Sequence, residues 1–466
     1  MSISLNELDV AWALLGQQRY ADAARQAQSI LHRFPDNVSA LACHAMAMWK
    51  GGGPIDASIA EIRRAVALAP AVPSLRHNLA TLLASRGDIA PAAAEFREAL
   101  RLKPDDTMAF YGLTQNHRFV EHEPLLDQMT ALHGQTGLGD GPREFLAYGL
   151  AKAYDDLGVA DKAMSYALEA NRLGARPWDL AGEAAALEEL AELARLDAFR
   201  RARSSGHPSR APLFIVGMPR SGTTLVEAVL SRHPAVLTRG EASGLPNIEN
   251  AALARLNPSR RRIGRHQLIL DLDRDWLAAR AETLLRQATA GASLAPHVIT
   301  DKLPENAVRL GLAARLFPNA RVVHVRRHPL DVGVSNFFQR FSHGQGYSNR
   351  LDWTGIRTRQ IAESMAIWKR AIDLPILDLS YERFVEDPEG QARRLLDFAG
   401  LEWTPDVLEP QRTARAVLTA SQWQVRQPIY RGSVARWKRY EPWLGPMIEA
   451  MGGFEWIDRE AAAGLG

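Results

Sequence analysis

The chain has 466 residues, 46% of them hydrophobic and 23% charged, enough apolar material for two or three domains with real cores. One cysteine, Cys43, excludes an internal disulfide, and neither a basic leader nor an apolar run of about 18 residues is present, so a cytoplasmic location without signal peptide or membrane span is the default expectation. Residues 1–200 hold 19 Lys+Arg against 26 Asp+Glu and residues 201–466 hold 37 against 27. The basic second half suits an anionic ligand such as a nucleotide, whereas Lys and Arg are too scattered, with a dense run only at Arg260–Arg262, to suggest a nucleic-acid partner.

Taken in chain order, the first pattern is a repeat. Gly87-Asp88-Ile89 is followed by Ala92, Phe96, Ala99 and Pro104, and the same offsets carry Gly53, Ile55, Ile62, Ala65 and Pro70. Earlier stand Tyr20, Ala23, Ala27, Ile30 and Pro35; later come Tyr154, Gly158, Ala163, Ala167 and Ala170. A 34-residue period with small residues at helix crossings resembles the tetratricopeptide repeat, two antiparallel helices per unit. Residues 1–176 are assigned to this array, with 107–143 a degenerate unit or an irregular connection. Stacking is required because one repeat cannot bury its apolar face alone. What the array does stays open: its groove recruits a protein or peptide, or the array props up the second domain, or it dimerises.

An Ala-, Glu- and Leu-rich helix follows from about Trp178 to Arg203, then the turn-forming run Ser204-Ser205-Gly206-His207-Pro208-Ser209. Residues 177–210 are therefore read as a connecting helix and linker. Leu213 to Val216 is a continuous apolar run, as in a strand buried on both faces. It leads into Gly217-Met218-Pro219-Arg220-Ser221-Gly222-Thr223-Thr224, and Leu225, Val226, Val229 and Leu230 then recur at helical spacing. Strand, glycine-rich loop and helix N-terminus together cradle a phosphate on backbone N–H groups. Nucleoside-triphosphatase loops place a lysine where this chain has Thr223, which argues against a triphosphatase or kinase.

The run Pro219 to Leu225 resembles the 5′-phosphosulfate loop of sulfotransferases that use 3′-phosphoadenosine 5′-phosphosulfate (PAPS), and its Arg220 is similar to the protein-tyrosine sulfotransferases. Further segments carry the same resemblance. Arg327 ends an apolar strand and Ser335 lies eight residues on, similar to the family's 3′-phosphate motif; a guanidinium takes a phosphate bidentately. Tyr381, in Leu379-Ser380-Tyr381-Glu382, occupies the place of the adenine-contacting tyrosine. The segment Thr419 to Lys438 resembles the nucleotide-closing region, with Ser421 near the phosphosulfate and Arg431 and Arg436 towards the 3′-phosphate.

The resemblance also implies the catalytic residues. Glu241, after Gly240, stands at the place of the general base, although the family's second glutamate is replaced by Ala242. The family's peptide-binding arginines are missing here, and Ser243 and Asn247 stand nearby instead. Lys302 ends an apolar strand, where ligands gather in open α/β sheets, and matches a lysine beside the transferring group. The expected site is thus catalytic Glu241, Arg220, Lys302 and Ser421, with Arg220, Ser221, Gly222, Thr223, Thr224, Arg327, Ser335, Tyr381, Ser421, Arg431 and Arg436 holding PAPS. No HExxH or paired-cysteine signature calls for a metal. The expected architecture is a tetratricopeptide-like array followed, over 211–466, by an α/β domain with a mostly parallel sheet. The leading reading is sulfuryl transfer to a hydroxyl, foremost protein tyrosine. The alternatives are a carbohydrate or small hydroxyl acceptor, and a nucleotide-binding scaffold that recruits a partner through the repeats.

Overall fold

The structure is a computed structural model that describes residues 5–202, 206–256, 264–290, 296–341, 344–412, 429 and 432–464. These divide into two compact units, one within Met1–Gly174 and one beginning at Ala175.

The first unit is wholly helical: α1 Leu5–Gly16, α2 Tyr20–Arg33, α3 Val38–Lys50, α4 Ile55–Leu68, α5 Pro73–Arg86, α6 Ile89–Leu102, α7 Thr107–Gln115, α8 Pro124–His133, α9 Asp140–Asp156 and α10 Ala160–Leu173. The repeat explains the packing. Counted from each helix start, the fourth, eighth and eleventh residues of α2, α6 and α10 are Ala23, Ala27, Ile30; Ala92, Phe96, Ala99; and Ala163, Ala167, Ala170. All are buried, because that spacing lines one face of a helix. In α4 the same offsets carry Ser58, Ile62 and Ala65, also buried. Helices α2, α4 and α6 end at Arg33, Leu68 and Leu102, two residues before Pro35, Pro70 and Pro104, since proline cannot continue a helix. Asn37 and Asp106 cap α3 and α7 by accepting from backbone N–H groups, a device worth about 1 kcal/mol each. Successive helices pack in order as far as α7, which packs on α9; α8 and α10 also pack on α9.

The second unit is built on a five-stranded parallel sheet: β1 Pro212–Gly217, β2 Val236–Thr238, β3 Val298–Asp301, β4 Arg321–Arg326 and β5 Ile376–Ser380, in the order β2-β3-β1-β4-β5. The apolar run of β1 is explained by its central place. Leu213 and Ile215 join a core with Val323, Val325 and Leu379 on one face. Phe214 and Val216 join Val322, Leu312 and Trp368 on the other. Alternate residues face opposite sides of a strand, so a strand covered on both sides reads as continuously hydrophobic. The helix Leu180–Arg195, read from sequence as a connector, is part of this second unit. Its Leu190 is buried in the sheet core and its Glu183 pairs with Arg357 at 2.9 Å.

All five strands run the same way, so their carboxyl ends share one edge of the sheet. The chain leaves β1 for β2 on one side and later crosses from β3 to β4 on the other. This reversal puts a crevice at the carboxyl end of β1, the usual ligand position in such sheets. Among the described residues no helix is long and apolar enough to cross a membrane.

Candidate active site

The loop between β1 and the helix Thr223–Leu230 occupies that crevice. Its conformation is set by neighbours just past β4 and on the helix Pro329–Phe337. The Pro219 carbonyl accepts from Asn336 Nδ2 at 2.8 Å, and the Arg220 carbonyl accepts from Arg327 Nη1 at 3.0 Å. Arg220 adopts φ +70°, a left-handed conformation that costs a non-glycine residue about 1–3 kcal/mol and is tolerated where the surroundings enforce it. Its Nε donates to Ser335 Oγ at 3.1 Å. Gly222, at φ +109°, allows the helix to start hard against Tyr381; a Cβ there would lie 2.7 Å from Tyr381 Cδ2.

The loop also holds unspent donors. Ser221 is 1% exposed, and among the described residues its hydroxyl has no hydrogen-bond partner; nor has Arg327 Nε. A buried polar group left unpaired costs about 1–3 kcal/mol. Thr223 and Thr224, both buried, open the helix beside it. Hydroxyls, guanidinium groups and a helix N-terminus form a donor set that fits phosphate or sulfate oxygens.

Arg327, just past β4, ties three segments together. Besides Arg220 it donates to the Ser433 carbonyl at 2.6 Å, and its guanidinium carbon sits 4.7 Å from the centroid of the Tyr381 ring. Ser335 lies on the helix Pro329–Phe337 and is buried. Asp331 on the same helix accepts the backbone N–H groups of Ala435 and Trp437 at 2.7 and 2.9 Å. His328 stacks on Trp437 with centroids 5.3 Å apart, and burial pushes its pKa below the ordinary histidine range. The Arg436 guanidinium lies over the Phe338 ring at 4.9 Å.

On the other side of β1, Lys302 Nζ donates to Glu241 Oε1 at 2.7 Å. The lysine side chain is fully buried, whereas that of Glu241 is 39% exposed. Glu241 is therefore open to an incoming group while it holds the ammonium. The pair is brought together by backbone: Lys302 N–H donates to the Gly240 carbonyl at 2.9 Å, extending the β2–β3 ladder past its last strand residues. Beside it Asp301 is pushed up to about 8, first by burial and then by the charge of Glu227.

The expected residues thus fall into two groups at the sheet edge. Arg220, Ser221, Gly222, Thr223, Thr224, Arg327, Ser335 and Tyr381 surround the loop, and Glu241 meets Lys302. Arg436 packs over Phe338 on the helix side. Ser421 and Arg431 lie outside the described residues. Sequence reasoning missed Glu227, Asp331 and Asn336. Glu227 and Asp331 had a signal: each is the single acidic residue of its helix. Among the described residues no group of three His, Cys, Asp or Glu side chains is placed to hold a metal ion.

Residues 212–405 match the model of the Sulfotransferase family. An uncharacterized protein of Aquifex aeolicus is 37% identical over 301 residues, covering 62% of this chain and 39% of that protein. Protein-tyrosine sulfotransferase 2 of Gallus gallus is 23% identical, covering 51% of this chain and 66% of that protein. The chain thus spans well under half of the Aquifex protein and about two thirds of the Gallus one. Among solved structures, the sulfotransferase domain of the Synechococcus PCC 7002 olefin synthase aligns at 20% identity with a TM-score of 0.36, over 51% of this chain and 90% of that one. The second unit carries a sulfotransferase-family domain with distant similarity to protein-tyrosine sulfotransferases.

Proposed function

We propose that the second unit transfers a sulfuryl group from PAPS to an acceptor hydroxyl. The observation that carries the reading is the Lys302–Glu241 contact of 2.7 Å at the same sheet edge as a phosphate-type loop. A nucleotide-binding scaffold needs the loop but has no use for a buried lysine held by an accessible carboxylate. Glu241 is assigned the acceptor's hydroxyl proton, because alcohols and phenols need a base near neutral pH. Arg220 and Lys302 are assigned to the sulfuryl oxygens and the departing 5′-phosphate, where preorganised charge matters most. Ser221, Thr223 and Thr224 would hold the 5′ group, Arg327 and Ser335 the 3′-phosphate, and Tyr381 the adenine. Ser421, Arg431 and Arg436 complete the set that the family resemblance assigns.

Protein tyrosine is the acceptor proposed first, supported by the similarity to protein-tyrosine sulfotransferases. The missing peptide-binding arginines, with Ser243 and Asn247 nearby instead, favour a second reading in which the acceptor is a carbohydrate or small hydroxyl compound. The helical unit is proposed to be a tetratricopeptide-like array that recruits the acceptor or a partner.

Two measurements test the proposal. Calorimetric titration is expected to find 3′,5′-adenosine bisphosphate bound more tightly than ATP; tighter ATP binding overturns the donor. Labelled sulfate from PAPS, offered to fractionated proteins, glycans and small molecules, identifies the acceptor, and label confined to glycan or metabolite removes tyrosine. Removing a charge-stabilising donor costs roughly 2.7–4 kcal/mol, so Arg220→Ala is expected to lower turnover on the order of a hundredfold.

A further inference from the structure

Glu227 is an acid buried inside the helix that follows the phosphate loop, 8% exposed and without a basic partner among the described residues. One of its oxygens accepts two hydrogen bonds, from the Gly240 N–H at 2.9 Å and from Thr300 Oγ1 at 2.8 Å. Both donors flank the catalytic pair: Gly240 precedes Glu241, and Thr300 lies on β3 two residues before Lys302. Gly240 is therefore held at both of its peptide groups, its N–H by Glu227 and its carbonyl by the Lys302 N–H at 2.9 Å. The grip comes where the chain leaves β2, and Gly240 turns there at φ +65°. Two further backbone bonds act beside this grip: the Arg239 N–H donates to the Thr300 carbonyl at 3.2 Å, and the Ala242 N–H donates to the Gly240 carbonyl at 2.9 Å.

We propose that Glu227 is a positioning residue, which sets the Glu241 carboxylate on Lys302 by clamping Gly240 and Thr300. The inference rests on the sulfuryl-transfer reading for its catalytic meaning, but not for its geometry. Its contacts are the Gly240 N–H and the Thr300 hydroxyl, so it acts through the backbone that presents the base. A misplacement of about 1 Å at a reacting group costs on the order of a hundredfold in rate, so a modest turn of the Gly240 peptide is enough to matter. The role needs an acceptor oxygen rather than a charge, which sets Glu227→Gln apart from Glu227→Ala.

The test measures both variants in the full chain with PAPS and the protein, glycan or small-molecule fraction that takes up label in the sulfate-transfer assay. Glu227→Ala is expected to lower kcat about 10- to 100-fold while KM for PAPS stays within about twofold, and Glu227→Gln to recover most of the loss. Residues that act as one unit are non-additive, so in a Glu241→Gln background Glu227→Ala is expected to change turnover by less than about threefold. Equal losses in both backgrounds, or a loss that falls on KM for PAPS, overturn the proposal. Amide hydrogen exchange gives a readout that needs no turnover: the Arg239–Glu241 amides are expected to exchange faster in Glu227→Ala than in wild type and in Glu227→Gln. If Glu227→Ala folds poorly, Thr300→Val removes one of the two contacts and is expected to give the same faster exchange in milder form. Unchanged exchange in both variants rejects the clamp. Faster exchange in Glu227→Ala, together with a wild-type chain that transfers no sulfate, would instead reject the sulfuryl-transfer reading and leave the clamp standing.

Discussion

Asp301 shows how far a single residue's state depends on its neighbours. It ends β3 between Glu227 and Lys302, and burial together with the Glu227 charge raises its pKa from an ordinary 3.8 to about 8. The folded chain therefore binds a proton that the unfolded chain has released, throughout the interval between those values. Stability from this group is complete below about pH 4 and is lost as pH rises towards 8. The melting temperature of the second unit is expected to fall between pH 5 and 8, and Asp301→Asn, which can still accept from Asn306 Nδ2, to flatten that fall. An identical slope in both proteins rejects the assignment. Histidine behaves oppositely at His266, where burial depresses the pKa to about 3 and the neutral form is the one that packs.

At the scale of elements, the helical unit depends on close crossings. Helix α7 passes α6 so tightly that a Cβ on Gly112 would lie 2.4 Å from Phe96 Cε1. Phe96 is itself 2% exposed and has no free side to move into. Overpacking of this kind costs about 1–3 kcal/mol, so Gly112→Ala is expected to lower the denaturant midpoint of the array. Shortening the ring with Phe96→Leu should relieve part of that cost, so the double variant is expected to be more stable than the sum of the single losses. Strict additivity would mean that the two helices do not meet through this contact. The α/β unit uses a different device: both faces of β1 are covered by apolar side chains.

For the whole molecule, the relevant fact is two units with separate cores. Cys43 is buried in the core of the helical unit, and burial pushes its thiol up to about 12. It is the chain's one cysteine, so alkylation at pH 8 reads the opening of that unit alone. Labelling is expected to be negligible in the native chain and complete in denaturant. Binding of 3′,5′-adenosine bisphosphate reads the second unit, and units with their own cores are expected to give two distinct midpoints. Coincident midpoints would show a single cooperative transition.

Much of the architecture was written in local patterns. The repeated small residues implied stacked helices, the run Leu213 to Val216 implied a strand covered on both sides, and the glycines with Arg220 to Thr224 implied an anion-cradling loop. These patterns are legible because period and turn chemistry are properties of neighbouring residues. The helix Leu180–Arg195 was read as a connector because its Ala- and Glu-rich sequence does not reveal what covers its apolar stripe; Leu190 finds its partners in the sheet core. The sequence also named Glu241 and Lys302, 61 residues apart, but not that they touch. That contact, the left-handed turn at Arg220 and the Glu227 grip on Gly240 were decided by tertiary structure. Parallel strands bring their carboxyl ends to one edge whatever their separation along the chain, and no local pattern encodes which side chains then meet.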